Sequence, residues 1–114
     1  MPCDSGTCSG TCEAGSACSL QMTNGGNRQF SSTCDGAVCD LDCTVNNGVC
    51  ALDCTNDAFC EVDCTLNNGF CEVDCTGSQC LYTCDDNNGS CDFTCDGAAQ
   101  TCPDGSQVCN LPCP

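Results

Sequence analysis

Hydrophobic and polar positions alternate along short stretches of the chain. In the stretches 39–44, 60–65 and 71–76, cysteine and one aliphatic residue take every second position, and acidic residues or threonine lie between them. The stretch 91–95 repeats this order with Phe93 at its centre. A period of two with β-branched and aromatic centres is typical of a short, half-buried strand. Stretches this short are also unable to nucleate helices, so the pattern predicts an all-β chain.

Each strand belongs to a unit marked by the pattern Cys-x-x-x-Cys. The units begin at positions 8, 18, 30, 39, 50, 60, 71, 80, 91, 102 and 109. Three units replace one cysteine, by Met22, Phe30 or Ser106. The links between units alternate in length, and the longer ones contain Asn-Asn-Gly, which favours a tight reversal of the chain. The repeat is therefore two units long, 20 to 21 residues.

The composition requires covalent stabilisation. The 114 residues include 20 Cys but only four Phe, one Tyr and no Trp, too few large side chains for an ordinary core. An even number of cysteines at this density indicates a disulfide scaffold, so we expect a secreted, extracellular or cell-surface protein. Zinc–thiolate clusters are disfavoured because the chain has no His and a net charge of −15. It resembles metallothioneins only in its number of cysteines, since it lacks their Cys-x-Cys pairs and their lysines.

The spacing of the cysteines restricts how they pair. Two cysteines at the ends of one strand would lie about 13 Å apart, at about 3.3 Å per residue, whereas a disulfide joins Cα atoms about 5.5 Å apart. We therefore predict that the last cysteine of each strand bonds the first cysteine of the next. The predicted disulfides are Cys3–Cys8, Cys12–Cys18, Cys34–Cys39, Cys43–Cys50, Cys54–Cys60, Cys64–Cys71, Cys75–Cys80, Cys84–Cys91, Cys95–Cys102 and, at the end, Cys109–Cys113. Met22 and Phe30 replace both members of one further pair, so an apolar contact is expected there.

Two folds satisfy these constraints. In a flattened β-solenoid of 20 to 21 residues per coil, alternate strands form two parallel sheets with disulfides at both edges. In an antiparallel meander, each link is a disulfide-closed hairpin, and every cysteine and leucine lies on one open face. We favour the solenoid because its second sheet covers that face. The chain, 1–114, is expected to form one domain, with an irregular loop at 19–33 where the repeat is weakest.

The charged residues exclude several functions. Arg28 is the only basic residue, and nucleic-acid binding needs cations for phosphate contacts. No apolar run approaches the roughly 20 residues of a membrane span, so no membrane insertion is expected. Without His or Lys, only a carboxylate pair in a cleft could act as general acid and base, and a narrow solenoid offers no obvious cleft. We therefore expect a protein that is not an enzyme and has no resident cofactor.

Acidic residues form the candidate site. In a solenoid, Asp42 would lie beside Asp63 on one face and Asp53 beside Asp74 on the other, about 4.8 Å apart. Clustered carboxylates bind Ca²⁺ and other hard cations, so these four residues are the candidate metal ligands. The alternative, which we favour, is a charged surface that keeps the protein soluble and prevents edge-to-edge aggregation.

The repeats resemble two kinds of protein. The tandem Gly-x-x-Cys-x-x-x-Cys units are similar to uncharacterised cysteine-rich repeats in secreted or surface proteins of bacteria, which implies a location and a scaffold but no activity. The disulfide-ribbed coils are similar in principle to insect antifreeze solenoids, but no Thr-x-Thr ladder is present. We therefore hypothesise a structural or interaction module, a rigid rod or fibre component that self-associates end to end. Binding of divalent cations or minerals is one alternative, and ice binding is another, through Thr44, Thr55, Thr65 and Thr76.

Overall fold

The computed structural model describes residues 2–3, 7–22, 29–43, 48–65, 69–84, 90–97 and 99–113. Within these residues all regular structure is β, in twelve strands. In chain order the strands are β1 (Pro2–Cys3), β2 (Thr7–Cys12), β3 (Ala17–Met22), β4 (Gln29–Asp35), β5 (Val38–Asp42), β6 (Val49–Thr55), β7 (Phe59–Asp63), β8 (Phe70–Asp74), β9 (Gln79–Thr83), β10 (Ser90–Thr94), β11 (Gln100–Thr101) and β12 (Gln107–Cys109). The prediction of an all-β chain is confirmed.

Consecutive strands up to β10 belong to different sheets. Sheet 1 has the order β1-β3-β5-β7-β9-β12-β11, and sheet 2 has the order β10-β8-β6-β4-β2. The pairs are parallel except those of β12, which runs antiparallel to β9 and β11. Cys39, Cys60 and Cys80 are in register in sheet 1, as are Cys50 and Cys71 in sheet 2, so each coil spans 20 to 21 residues. The β-solenoid is confirmed, and the meander, in which consecutive strands would pair, is excluded.

A thin core fills the space between the two sheets. Leu41, Val62 and Tyr82 are neighbours in register on sheet 1 and are at most 2% exposed. Tyr82 stacks on Phe93 of sheet 2 with ring centroids 4.9 Å apart. The Tyr82 hydroxyl donates a hydrogen bond to the Cys71 carbonyl oxygen, 3.3 Å away, and burial raises the pKa of Tyr82 above its usual value. The apolar layer is only one side chain deep from each sheet, so sulfur supplies much of the interior.

Disulfides border this core in two rows, one along each edge of the solenoid. The paired cysteines are five or six residues apart at one edge, the short-link edge, and seven residues apart at the other, the long-link edge. The short-link edge carries Cys12–Cys18, Cys34–Cys39, Cys54–Cys60 and Cys75–Cys80, and the long-link edge carries Cys43–Cys50, Cys64–Cys71 and Cys84–Cys91. Their Cα atoms lie 6.2 to 6.7 Å apart, and these seven pairs were predicted. The predicted pair Cys3–Cys8 lies outside the described side chains. So does the side chain of Met22, the expected partner of the buried Phe30.

The C-terminal pairing differs from the prediction. Cys95 bonds Cys109, and Cys102 bonds Cys113. The predicted pairs Cys95–Cys102 and Cys109–Cys113 are therefore wrong. The repeat units expected at 102 and 109 are also wrong, because β11 and β12 form an antiparallel hairpin in place of further coils. Since β12 lies on β9 with Cys109 opposite Cys80, Cys109 takes the position in the short-link row that Cys102 was expected to take.

Two further expectations are corrected by the structure. Of the irregular loop expected at 19–33, residues 19–22 belong to β3 and residues 29–33 belong to β4; positions 23–28 lie outside the described residues. The molecule measures 33 × 31 × 19 Å, so the chain is a flat slab and not a rod. Because neighbouring coils lie only about 4.8 Å apart, a short stack of coils is about as long as each coil is wide.

Candidate functional surfaces

The acidic residues lie where the register of the solenoid places them. Asp42 is opposite Asp63 on the outer face of sheet 1, and Asp53 is opposite Asp74 on the outer face of sheet 2. All four side chains are exposed or half-buried, because the alternation that buries cysteine and leucine turns these positions outward. The two acidic rows therefore occupy the positions that the repeat predicts.

On sheet 1 the carboxylates border a shallow depression. Asp40 and Glu61 are opposite each other in the column next to Asp42 and Asp63. The depression is lined by Ser19, Asp40, Asp42, Glu61, Val62, Asp63 and Thr83. Among the described residues, no three carboxylate side chains bring oxygen atoms within 4.8 Å of one another. The face is therefore strongly acidic, but its carboxylates are spread along the strands and are not gathered at one point.

Two of the predicted metal ligands have a local structural role. Asp63 Oδ1 accepts hydrogen bonds from the Thr65 N–H, 3.0 Å, and the Thr65 hydroxyl, 2.6 Å. Asp74 Oδ1 accepts the same two bonds from Thr76, at 3.1 and 2.7 Å. A carboxylate that bonds the backbone two residues ahead forms an Asx turn, which starts a reversal of the chain. In the motif Asp-Cys-Thr, the aspartate thus helps to end the strand.

The threonines proposed for ice binding do not form one row. Thr55 is the last residue of β6 on the short-link edge, whereas Thr65 follows β7 on the long-link edge. Thr76 follows β8 and, like Thr65, donates its hydroxyl to the aspartate two residues before it. Thr44 lies outside the described residues. The described threonines therefore lie on both edges: Thr55 and Thr76 on the short-link edge, in adjacent coils, and Thr65 on the long-link edge.

The close groups of metal-ligating atoms contain sulfur atoms of disulfides. Among the described residues these groups are Cys12, Cys18 and Cys39; Cys54, Cys60 and Cys80; and Cys95, Asp96 and Cys109. Every cysteine whose side chain is described belongs to a disulfide. Metals bind cysteine as the thiolate, so the oxidised molecule described here does not offer the ligands of a metal–thiolate cluster.

Apolar side chains lie on both outer faces, a feature that the sequence analysis missed. Val38 and Phe59 are opposite each other on sheet 1 and are 53% and 36% exposed. Val49 and Phe70 are opposite each other on sheet 2, and Phe70 is 37% exposed. Each residue directly precedes the first cysteine of its unit. Because cysteine points inward, the alternation itself could have identified these four positions as outward.

The C-terminal end of the short-link edge is closed by a side chain that replaces a further coil. Between coils, the backbone N–H of Gln79 donates to the Ala58 carbonyl oxygen, 2.9 Å away. At the end of the stack, Asn110 Nδ2 donates to the Ser78 carbonyl oxygen, 2.8 Å away. The amide of Asn110 thus occupies the place of a backbone donor from the next coil, and an edge carbonyl that would otherwise face solvent is paired.

Asp96 and Gln107 extend this cap. Asp96 accepts hydrogen bonds from Asn110 Nδ2, 3.0 Å, and from the Gly77 N–H, 3.2 Å. The bond from Asn110 is the main reason that the pKa of Asp96 lies below its usual value. Leu41, Val62 and Tyr82 form an inward column of sheet 1. Gln107 lies opposite Tyr82, so this column ends in a polar residue. Since β12 occupies the outer edge of β9, a second copy could not pair directly with β9.

The fold and the two disulfide rows define the class of protein: a disulfide-ribbed β-solenoid. The chain matches no family model, no curated protein and no solved structure. Its resemblance to bacterial cysteine-rich repeats stays a prediction, while the similarity to disulfide-ribbed solenoids holds at the level of the fold. Within the described part of the chain, no helix has the length and apolarity to cross a membrane.

Proposed function

We propose that the chain is a non-enzymatic extracellular module with a structural or interaction role. The observation that supports this most is the double row of disulfides along a thin core. The bridges of the regular coils each close a loop of five to seven residues, and a loop of that size is worth about 2 kcal/mol. Together they contribute about as much as the few buried aliphatic side chains, and such bridges persist only in an oxidising compartment.

The surface supports a scaffold more than a catalyst. The chain has no His and no Lys, so the usual general acids and bases are lacking apart from carboxylates. Those carboxylates lie along two broad outer faces, where they suit contact with a partner. The slab shape and the capped short-link edge favour a discrete unit over the rod or end-to-end fibre expected from the sequence.

Oxidation state and stability test this proposal together. Intact mass without reduction, followed by mapping of linked peptides, should show a deficit of two hydrogens per disulfide and the bridges described above. Far-UV circular dichroism should show a cooperative melt that disappears after reduction with tris(2-carboxyethyl)phosphine. Free thiols throughout, bound metal, or a spectrum unchanged by complete reduction would overturn it.

Divalent-cation binding is the second candidate, because Asp42 faces Asp63 beside the depression on sheet 1. Carboxylate sites without a rigid cage bind Ca²⁺ with dissociation constants on the order of 10⁻⁴ to 10⁻³ M. Calorimetry with Ca²⁺ should then show saturable heat that Asp42→Asn removes and Glu13→Gln, on an exposed turn, leaves unchanged. Absence of heat, with an unchanged melting temperature, would eliminate this candidate.

A further inference from the structure

The chain places half of its phenylalanines on its surface. It has four Phe and no Trp, yet Phe59 and Phe70 are 36% and 37% exposed. At the same outward position, the next strand carries Gln79 in sheet 1 and Ser90 in sheet 2, so a polar residue fits there. Large apolar side chains are normally buried, and this chain has few to use in its core. Phe59 and Phe70 therefore leave more than a third of their surface on the two faces, where a partner can contact it.

The exposed phenylalanines belong to one motif that occurs twice. Residues 59–65 and 70–76 have the same sequence, Phe-Cys-Glu-Val-Asp-Cys-Thr. The first copy forms β7 in sheet 1, and the second forms β8 in sheet 2. Each therefore presents an outward series of Phe, Glu and Asp on its own face, with a valine beside the Phe in the preceding strand, Val38 or Val49. The two faces therefore share these four outward positions, although Glu61 has Asp40 beside it and Glu72 has Ala51.

The negative charge of the protein restricts which partners can bind these faces. The net charge of −15 makes association with a second acidic copy unfavourable. Glu61 and Glu72 are exposed and lie two residues after Phe59 and Phe70, about 6.6 Å along the strand. An arginine or lysine spans this distance: its methylene stem packs on apolar surface, its cationic head attracts the aromatic face, and it pairs with carboxylate.

We propose that each face binds an arginine- or lysine-rich polypeptide segment, with Phe59–Glu61 and Phe70–Glu72 as two equivalent anchor pairs. The sheets lie back to back in a slab 19 Å thick, so both faces are accessible at once. The molecule would then link two cationic segments as a bivalent connector. This inference rests on the proposed interaction role and names the chemistry of the partner.

Isothermal titration with octa-arginine at 0.15 M NaCl tests the inference, since this salt concentration reduces the Debye length to about 8 Å. The wild-type protein should bind two peptides. Phe59→Ser and Phe70→Ser should each leave one site, and the double variant should bind at least tenfold more weakly. Octa-lysine should bind more weakly than octa-arginine, because guanidinium pairs better with both rings and carboxylates.

Matched variants separate an anchored site from general attraction to an acidic protein. Gln79→Ser, next to Phe59 on the same face, should keep both sites. Glu61→Gln should weaken one site, whereas Glu13→Gln removes an equal charge from the turn between β2 and β3 and should leave the affinity of both sites unchanged. Circular dichroism and unreduced mass would verify that every variant has folded.

Three results would overturn the inference. Stoichiometry unaffected by both Phe substitutions, or equal weakening by Glu61→Gln and Glu13→Gln, would show attraction by net charge alone. A wild-type dimer without peptide that Phe59→Ser dissociates would make a second copy the occupant. None of these results would alter the disulfide map or the melt, so failure here is distinguishable from failure of the proposed scaffold role.

Discussion

The central coils and the C-terminal end use the same row of disulfides but reach it by different paths of the chain. In the central coils, Cys75 bonds Cys80, five residues further on. At the C-terminal end, Cys95 bonds Cys109, fourteen residues further on, because an antiparallel strand brings Cys109 beside Cys80. A cysteine therefore pairs according to its position in the row, and the strand that supplies that position can run in either direction.

The two regions also differ in what stabilises them. The central coils bury Leu41, Leu52, Val62 and Val73 almost completely and are joined by backbone hydrogen bonds. The end has strands of two and three residues, β11 and β12, and relies on the side chains of Asn110 and Asp96. We therefore expect the end to open locally before the central coils do.

The largest effect should follow removal of a central disulfide. We expect Cys54→Ser with Cys60→Ser to cost about 3–5 kcal/mol, because a loop constraint is lost and two hydroxyls replace fully buried sulfurs without partners. Cys102→Ser with Cys113→Ser should cost about 3 kcal/mol, nearly all of it the constraint of the longer loop, because Cys113 is half-exposed and its hydroxyl stays solvated. Guanidinium unfolding measures both. Equal losses would contradict the distinction between centre and end.

The next largest difference in stability is expected between two substitutions in the inward column of sheet 1. Leu41→Ala removes a fully buried side chain and should lower the free energy of unfolding by about 2–4 kcal/mol. Gln107→Ala alters the polar end of the same column and should change it by about 0.5 kcal/mol or less. Thermal and chemical unfolding of the two variants, side by side, measure the contrast. A larger loss at Gln107 would mean that the cap, and not the centre, limits stability.

A smaller effect is expected at Asn110. Asn110→Ala removes the hydrogen bonds to Ser78 and Asp96 and should cost about 1 kcal/mol, plus strain, because Asn110 has a φ of 60°. Asn110→Gly lacks the amide but tolerates this φ, so the difference between the variants isolates the strain. Hydrogen exchange should accelerate at Gly77, whose N–H donates to Asp96. Unchanged exchange there would argue against a cap.

The smallest effect should be a pH dependence confined to the end. Hydrogen bonds from Asn110 to Asp96 and from Ser106 to Asp104 lower the pKa of each carboxyl below its ordinary value of 3.8. A lowered pKa means that the stabilisation is present above pH 3.8 and is lost as the pH falls through the folded-state value. Melting temperatures between pH 6 and pH 2 should fall less for Asp96→Asn than for the wild type. Identical acid profiles would contradict this assignment.

Two local signals in the sequence explain what the structure added. Asp-Cys-Thr is an Asx-turn motif, so the role of Asp63 and Asp74 at the strand ends follows from residue type and spacing. Pro103-Asp104-Gly105 is a turn sequence of the kind that joins antiparallel strands, and it lies between β11 and β12. Both signals are short-range and can be recognised in the sequence. The regular spacing of the cysteines nevertheless predicts that every unit forms another coil.

The strands of the coils, the length of the coil, the seven regular disulfides and the acidic rows could be predicted from the sequence, because each depends on a period of two or on separations of a few residues. Four features could not be predicted in this way: the direction of the last strands, the pairing of Cys95 with Cys109, the hydrogen bonds of the Asn110 amide at the end of the stack, and the slab shape. These depend on which segments meet across many residues of chain. Contacts of that kind are selected by packing in three dimensions, which no local pattern records.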